Sequence, residues 1–203
     1  MTPVSRILVI YAHSAPHRSR VNRKLAAAAR DLPNVFLHDL YETYPDFHID
    51  VAREQALLAQ SDLVVFLHPM QWYSMPSLLK EWVDVVLEPG WAHGPGGDAL
   101  RDKGYWLAIT TGSPADAYSP SGVHGRSFSD YLAQFEQTAV LCGMTWLTPH
   151  VLHEAHQVDD DAVRDHVAQF RQRLESYAGP ADDTRHLPLT PTTITLAASD
   201  NGT

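Results

Sequence analysis

Cysteine is nearly absent from this chain of 203 residues, which contains only Cys142. No disulfide can form within the chain, and this favours a reducing, cytoplasmic compartment. Basic residues are also scarce, since 15 Lys and Arg stand against 24 Asp and Glu for a formal net charge of −9. A protein that binds nucleic acid through its phosphates needs a basic face, so we expect no nucleic-acid partner.

Long apolar runs are missing as well. No stretch approaches the ~20 residues that a membrane-spanning helix needs, so we expect no transmembrane segment. Only Arg6 precedes the short apolar run 7–12, which is too little for a secretory signal. The chain also lacks the G-x-S-x-G turn, which leaves an α/β-hydrolase without a candidate nucleophile.

The residues that are present predict a doubly wound α/β domain. Hydrophobic residues make up 44% of the chain and charged residues 19%, which is typical of a folded globular protein. Short apolar strands alternate with helical segments, and this alternation indicates a parallel sheet with helices on both faces. The predicted strands are 7–11, 35–39, 63–67, 105–110 and a fifth over 145–152 that is broken near Pro149; the predicted helices are 19–30, 51–60, 77–87, 128–141 and 159–177.

The chain changes character near residue 179. Residues 180–203 are rich in Thr, Pro, Asp and Ala and have little capacity to form a core. We therefore predict one folded domain over residues 1–179 and a flexible tail over 180–203.

A ligand site in such a sheet lies beyond the carboxyl ends of the strands, where the strand order reverses. With the order 2-1-3-4-5, the loops after the first and third strands border that site. The first of these loops, 13–22, ends in Ser19 and Asn22 at the start of a helix, where backbone N–H groups favour an anion. It has neither a Walker A nor a G-x-G-x-x-G pattern, so a nucleoside triphosphate is unsupported. An alternative is that Ser19 only caps the helix.

The loops after the third and fourth strands favour a flat ligand. Residues 70–73 place two large aromatic side chains, Trp72 and Tyr73, where a planar ring system could pack. The alternative for these two is a cap over the core or a subunit interface. Residues 110–113 add small hydrogen-bonding groups beside the same crevice, and Gly112 permits close backbone approach.

These motifs in order resemble the flavodoxin-like NAD(P)H:quinone oxidoreductases, and most of all the ancillary quinone oxidoreductases of potassium-efflux systems. The resemblance covers residues 6–177 and rests on Tyr11-Ala-His13, Pro69-Met-Gln-Trp-Tyr73, 91–97 with Ala99-Leu100, and Thr110-Thr-Gly112. Two departures stand out: Ser113 replaces the second Gly usual in the family and is expected to narrow the ring pocket, and the tail from Pro180 has no counterpart.

The resemblance implies a flavodoxin-like fold that binds FMN, with FAD in the longer animal relatives. It places the phosphate near His13, Ser19, Arg20, Val21 and Asn22. It lines the isoalloxazine with Met70, Gln71, Trp72, Tyr73, Thr110, Thr111, Gly112 and Ser113. The segment 118–125 is similar to the family's catalytic stretch, which maps Tyr118 and His124 as catalytic residues. A histidine changes charge near neutral pH and suits proton donation, although a solvated loop histidine is the alternative for His124.

The activity implied by the resemblance is transfer of two electrons from NADH or NADPH to a quinone or similar small acceptor. The resemblance also implies a homodimer with loops 91–93 and 118–125 near the interface. The alternative is a non-catalytic flavin-binding subunit that regulates a glutathione-regulated potassium-efflux transporter. In that case the protein would sit in the cytoplasm, at the inner face of the membrane, through its partner.

Three further histidines recur at a spacing that invites a metal interpretation. On an extended strand His153 would point away from His150 and His156, so we predict surface histidines and no metal. Cys142, at an apolar helix end, is predicted to be a small buried hydrophobe.

Overall fold

A computed structural model describes residues 5–177, and its elements alternate as the sequence predicts. The predicted tail 180–203 lies outside the described residues. The strands are β1 (Ile7–Tyr11), β2 (Val35–Asp39), β3 (Leu63–Pro69), β4 (Gly104–Thr110) and β5 (Thr145–Leu152). The helices are α1 (Asn22–Arg30), α2 (Leu40–Thr43), α3 (Val51–Ala59), α4 (Ser77–Val86), α5 (Phe128–Leu141) and α6 (Asp160–Ser176).

The five strands form one parallel sheet in the order β2-β1-β3-β4-β5, which confirms the predicted order. Side chains alternate across this sheet and create two cores. Leu8 and Ile10 pack with α3, α4 and α5 on one face, and Val9 packs with α1 and α6 on the other. The central strands are buried on both faces, which explains their unbroken apolar sequences. Within residues 5–177, no helix has the length and apolar character to cross a membrane.

Two predicted boundaries are wrong. The first helix begins at Asn22 and not at residue 19, because a 3₁₀ turn over Pro16–Arg18 precedes it and Ser19 is extended. The fifth strand runs through Pro149 without a break. Proline is tolerated there because β5 is an edge strand, and its pairing with β4 shifts register between Trp106 and Ala108.

The short helix α2 was not predicted from the sequence. The side chain of Asp39 caps it by accepting hydrogen bonds from the backbone N–H groups of Tyr41 and Glu42. Four residues are too few to show a helical period, so only the cap could have revealed this element.

A buried carboxylate ties the helices on one face to the sheet edge. Glu54 of α3 is fully buried and accepts hydrogen bonds from Tyr44 Oη at 2.5 Å and Trp82 Nε1 at 2.8 Å. His38 Nε2 of β2 lies 2.9 Å away. Burial acts to raise the pKa of Glu54, but the hydrogen bonds from these three side chains outweigh it and hold the pKa below its ordinary value.

Glu54→Gln should destabilise the fold at pH 7 by about 1.5–3 kcal/mol, because the neutral amide replaces a charged acceptor that satisfies several donors. A lowered folded-state pKa contributes stability above the ordinary glutamate pKa of about 4.3, and that contribution is lost as the pH falls through the folded value. The difference in the free energy of unfolding between the wild type and Glu54→Gln should therefore become smaller as the pH falls. Urea unfolding from pH 3 to 7 measures it, with the exposed Glu81→Gln of α4 as the control. A difference in unfolding free energy that does not change with pH would contradict a lowered folded-state pKa for Glu54.

Candidate functional site

A cavity of about 400 Å³ opens at the carboxyl ends of β1, β3 and β4. This is where the strand order reverses, as the sequence predicts. Most of the predicted binding residues line it: His13, Ser19, Arg20, Val21, Asn22, Met70, Gln71, Thr110, Thr111 and Gly112. The prediction missed several others, including Ser14, Arg18 and His156.

The amino end of α1 forms one wall of the cavity. Ser19 is buried, and its Oγ accepts a hydrogen bond from the backbone N–H of Arg23 at 3.1 Å, so Ser19 does cap the first turn. Asn22 is 3% exposed, and its Nδ2 donates to Thr110 Oγ1 at 2.8 Å. This bond links α1 to β4 across the cavity floor.

The Oδ1 atom of Asn22 is buried without a hydrogen-bond partner. A buried polar atom in this state costs free energy unless a ligand or water satisfies it. If the amide turns over, the Thr110 hydroxyl can donate to Oδ1, and Nδ2 is then left as an unpaired donor in the cavity wall. Together with the positive amino end of α1, this arrangement suits an anion.

Two cationic or titratable side chains flank this wall. Arg20 donates to Val158 O at 2.5 Å and to Asp160 Oδ1 at 2.9 Å, so its guanidinium anchors the start of α6. His13 Nδ1 accepts from the backbone N–H of Ala15 at 3.1 Å, which leaves the proton of the neutral ring on Nε2. Burial, assisted by nearby His156, lowers the pKa of His13, so the ring acts as a neutral donor at pH 7.

The loop after β3 forms the opposite wall. Gln71 Nε2 donates to Ser14 Oγ at 3.0 Å and so joins the loops after β1 and β3. Trp72 and Tyr73 follow with φ of 47° and 63°, and paired backbone hydrogen bonds between Gln71 and Ser74 close the turn. This strained turn holds Trp72 91% exposed, outside the cavity lining.

Tyr118 and His124 lie side by side just beyond the cavity lining, with ring centroids 4.5 Å apart. Tyr118 is 8% exposed. Ser113 Oγ lies 2.9 Å from His124 Nε2, and Tyr73 Oη lies 3.4 Å from His124 Nδ1. The structure therefore brings the predicted catalytic pair together and places Ser113 and Tyr73 against it instead of in the lining.

Two histidines at the carboxyl end of β5 and in the loop after it were not assigned to the site from the sequence. His153 is half-buried, its Nδ1 lies 3.0 Å from Thr111 Oγ1, and its ring packs against Phe128. His150 is also half-buried and stacks on His166 of α6. The prediction of surface histidines is confirmed for His156, which is exposed, and it is wrong for His150 and His153, because α5, α6 and the loop before α5 cover them. Their position at the end of an edge strand beside β4 is the signal that could have shown it. Among residues 5–177, no group of three or more His, Cys, Asp or Glu side chains could hold a metal ion.

The sheet order and the cavity at its switch point define a flavodoxin-like protein. The chain belongs to the family described as having the flavodoxin-like fold, whose model matches residues 5–177. It is 44% identical over 177 residues to the glutathione-regulated potassium-efflux system ancillary protein KefG of Enterobacter sp. (strain 638), which covers 87% of this chain and 96% of that protein.

Solved structures share the fold over nearly their whole length. A protein of Streptomycin violaceusniger described as a thermophilic tryptophan halogenase is 38% identical, with a TM-score of 0.80 over 84% of this chain and 99% of its own. General stress protein 14 of Treponema denticola in complex with FMN is 35% identical, with a TM-score of 0.78 over 84% and 98%. An NADPH-quinone reductase of P. pentosaceus is 28% identical, with a TM-score of 0.77 over 85% and 99%.

Gly122 fixes the loop that carries His124, because a Cβ atom there would lie 2.4 Å from the carbonyl oxygen of Ala117. That same oxygen accepts the backbone N–H of His124 at 3.1 Å. Gly122→Ala should therefore push the loop away and increase hydrogen exchange at the His124 amide by about 10-fold or more, the equivalent of one hydrogen bond. Exchange measured by NMR checks this, with Ser121→Ala as the control. Unchanged protection in Gly122→Ala would show that the loop is not held by this contact.

Proposed function

We propose that the protein is an FMN-dependent NAD(P)H dehydrogenase that passes two electrons from NADH or NADPH to a quinone or similar small acceptor. The observation that carries the proposal is the anion-suited cavity wall at α1 beside the Tyr118–His124 pair. The FMN complex of the Treponema protein and the quinone reductase of P. pentosaceus support it. Because a halogenase is described with the same fold, the proposal rests on the site and not on the fold.

The residues that line the cavity have the side chains that FMN would need. Ser19, Asn22 and the positive amino end of α1 would hold the phosphate, and His13 would donate from Nε2 beside them. Met70, Gln71, Thr110, Thr111 and Gly112 would line the ring system, with Trp72 and Tyr73 at its margin. The Ser113 hydroxyl contacts His124 and is not assigned to FMN binding. When bound, FMN would supply the chemistry that accepts two electrons and a proton from the nicotinamide and passes them on.

His124 and Tyr118 have separate roles in this proposal. Nδ1 of His124, which makes the longer of the two ring-nitrogen contacts, at 3.4 Å to Tyr73 Oη, would donate a proton where negative charge develops during electron transfer. Tyr118 would pack against the imidazole and hold it in place, since its own ring is nearly buried. A purely structural subunit would not need such a pair.

The second candidate is a flavin-binding regulatory subunit of a potassium-efflux transporter, and the Enterobacter ancillary protein is the observation that favours it. Here the protein would be cytoplasmic and peripheral at the inner face of the membrane through its partner. We also propose a homodimer in either case. Trp72 and Val123 are 91% and 85% exposed beside the site, and a second copy would cover such apolar groups. Steady-state NAD(P)H oxidation with a soluble quinone separates enzyme from subunit.

Ser19→Ala combined with Asn22→Ala should weaken FMN binding. Two hydrogen bonds to a charged group are worth roughly 3–6 kcal/mol at most, which corresponds to about 10²- to 10⁴-fold in Kd. Titration of the flavin-free protein with FMN measures the loss, and circular dichroism confirms the fold. Asn34→Ala combined with Ser121→Ala makes the same chemical change away from the cavity and should leave the Kd unchanged. Retention of FMN by the cavity double variant through dialysis would exclude this placement of the phosphate.

His124→Gln should slow FMN reduction by NAD(P)H about 10²-fold, with a range up to ~10⁴-fold, because a positioned proton donor is lost. FMN content should stay near wild type. Tyr118→Phe should have a milder effect, since water partly replaces a hydroxyl that only orients. Stopped-flow absorbance gives the rates. A full rate in His124→Gln would make this residue a solvated loop histidine, and loss of FMN would make it a binding residue.

A further inference from the structure

The ring of His124 lies between two hydroxyl groups, which we call the hydroxyl bracket: Ser113 Oγ at 2.9 Å from Nε2 and Tyr73 Oη at 3.4 Å from Nδ1. The Ser113 contact is the shorter of the two and has ordinary hydrogen-bond length. Ser113 itself does not line the cavity. Its hydroxyl contacts the histidine ring.

The backbone of Ser113 is held from two directions. Its carbonyl oxygen accepts Thr111 Oγ1 at 2.8 Å and the backbone N–H of Glu154 at 3.1 Å. Because the single hydroxyl proton of Thr111 goes to Ser113, the 3.0 Å contact between Thr111 Oγ1 and His153 Nδ1 must be donated by His153. These bonds anchor residue 113 to the loop after β5, so its hydroxyl starts from a fixed position.

The remainder of His124 is also fixed. Its backbone N–H donates to Ala117 O, and its carbonyl accepts Tyr131 Oη, both at 3.1 Å. The ring packs on Tyr118, but packing alone permits the imidazole to flip about its last side-chain bond. The hydrogen bonds to the two ring nitrogens distinguish the two ring orientations, and the one to Nε2 is the shorter.

The hydroxyl bracket fits every protonation state of the ring. A neutral imidazole has one donor and one acceptor nitrogen, and an imidazolium has two donors. A hydroxyl can donate or accept by rotating its hydrogen, so Ser113 and Tyr73 can satisfy both states while the heavy atoms stay in place. The ring can then gain or lose a proton with little reorganisation.

We propose that Ser113 is a positioning residue for His124, holding the imidazole in one orientation through Nε2 while its proton is transferred. This inference rests on the proposed function, in which His124 is the proton donor. In this role the Ser113 hydroxyl acts only on His124. Removing the hydroxyl should therefore change the rate of electron transfer and leave the binding of FMN and nucleotide unchanged.

The first measurement needs no cofactor. Long-range ¹H–¹⁵N correlation on the flavin-free protein resolves Nδ1 and Nε2 of His124, whose signals are assigned by their absence in His124→Gln. Ser113→Ala should shift the ¹⁵N resonance of Nε2, because that nitrogen loses its hydrogen bond. Ser113→Thr should restore the resonance, and Ser121→Ala in the same loop should not move it. An identical Nε2 resonance in wild type and Ser113→Ala would overturn the hydroxyl bracket, whatever the function of the protein.

The second measurement is a double-variant cycle on the FMN-loaded protein. Ser113→Ala should slow FMN reduction about 10-fold, the equivalent of one hydrogen bond, and Ser113→Thr should retain most of the rate. In the His124→Gln background Ser113→Ala should add nothing, because no imidazole remains to be positioned. Equal losses in both backgrounds, or a raised Kd for FMN, would overturn the positioning role. A full rate in His124→Gln alone would refute the proton-donor role of His124 and with it the kinetic role of Ser113. Absence of FMN reduction by NAD(P)H in the wild type would refute the proposed function itself. In either case the Nε2 resonance would still report the hydroxyl bracket.

Discussion

The pairing of β1 with β3 is the constraint on which the rest of the structure depends. Ile7 lies opposite Leu63 and Tyr11 opposite Leu67, so two strands that are distant in sequence run side by side at the sheet centre. The chain leaves β1 toward α1 on one face and leaves β3 toward α4 on the other. Their loops diverge as a result, and the cavity opens between them.

Side-chain hydrogen bonds between loops replace the sheet ladder once the strands end. Gln71 reaches Ser14, and Asn22 reaches Thr110, so the loops after β1, β3 and β4 are tied to one another. The bond from Asn22 to Thr110 is buried, and buried polar groups need such partners, because an unsatisfied donor or acceptor costs more than a single hydrogen bond gains. The same bonds that hold the loops therefore also shape the site, and Oδ1 of Asn22 is a buried acceptor left without a partner there.

Sequence reasoning succeeded where local pattern and topology agree. The apolar strand at residues 63–67 predicted a buried central strand, and Met70 and Gln71 after it line the cavity as predicted, whereas Trp72 and Tyr73 do not. The start of α1 was misplaced because Ser19 is both a good cap residue and part of an extended segment. The break expected at Pro149 did not occur, since whether proline disrupts a strand depends on its being central or at the edge.

The sequence by itself determined the strands, most helices and the loops that follow the strands, because periodicity and turn residues are local properties of the chain. The strand order was predicted from the flavodoxin-like fold that the motifs resemble, since no local pattern encodes it. Tertiary structure alone decided which side chains in those loops meet. It exposed Trp72 through a turn with positive φ, turned Ser113 toward His124 and brought His153 to Thr111. These contacts depend on distances between loops from different strands, and no pattern within one loop encodes a distance to another.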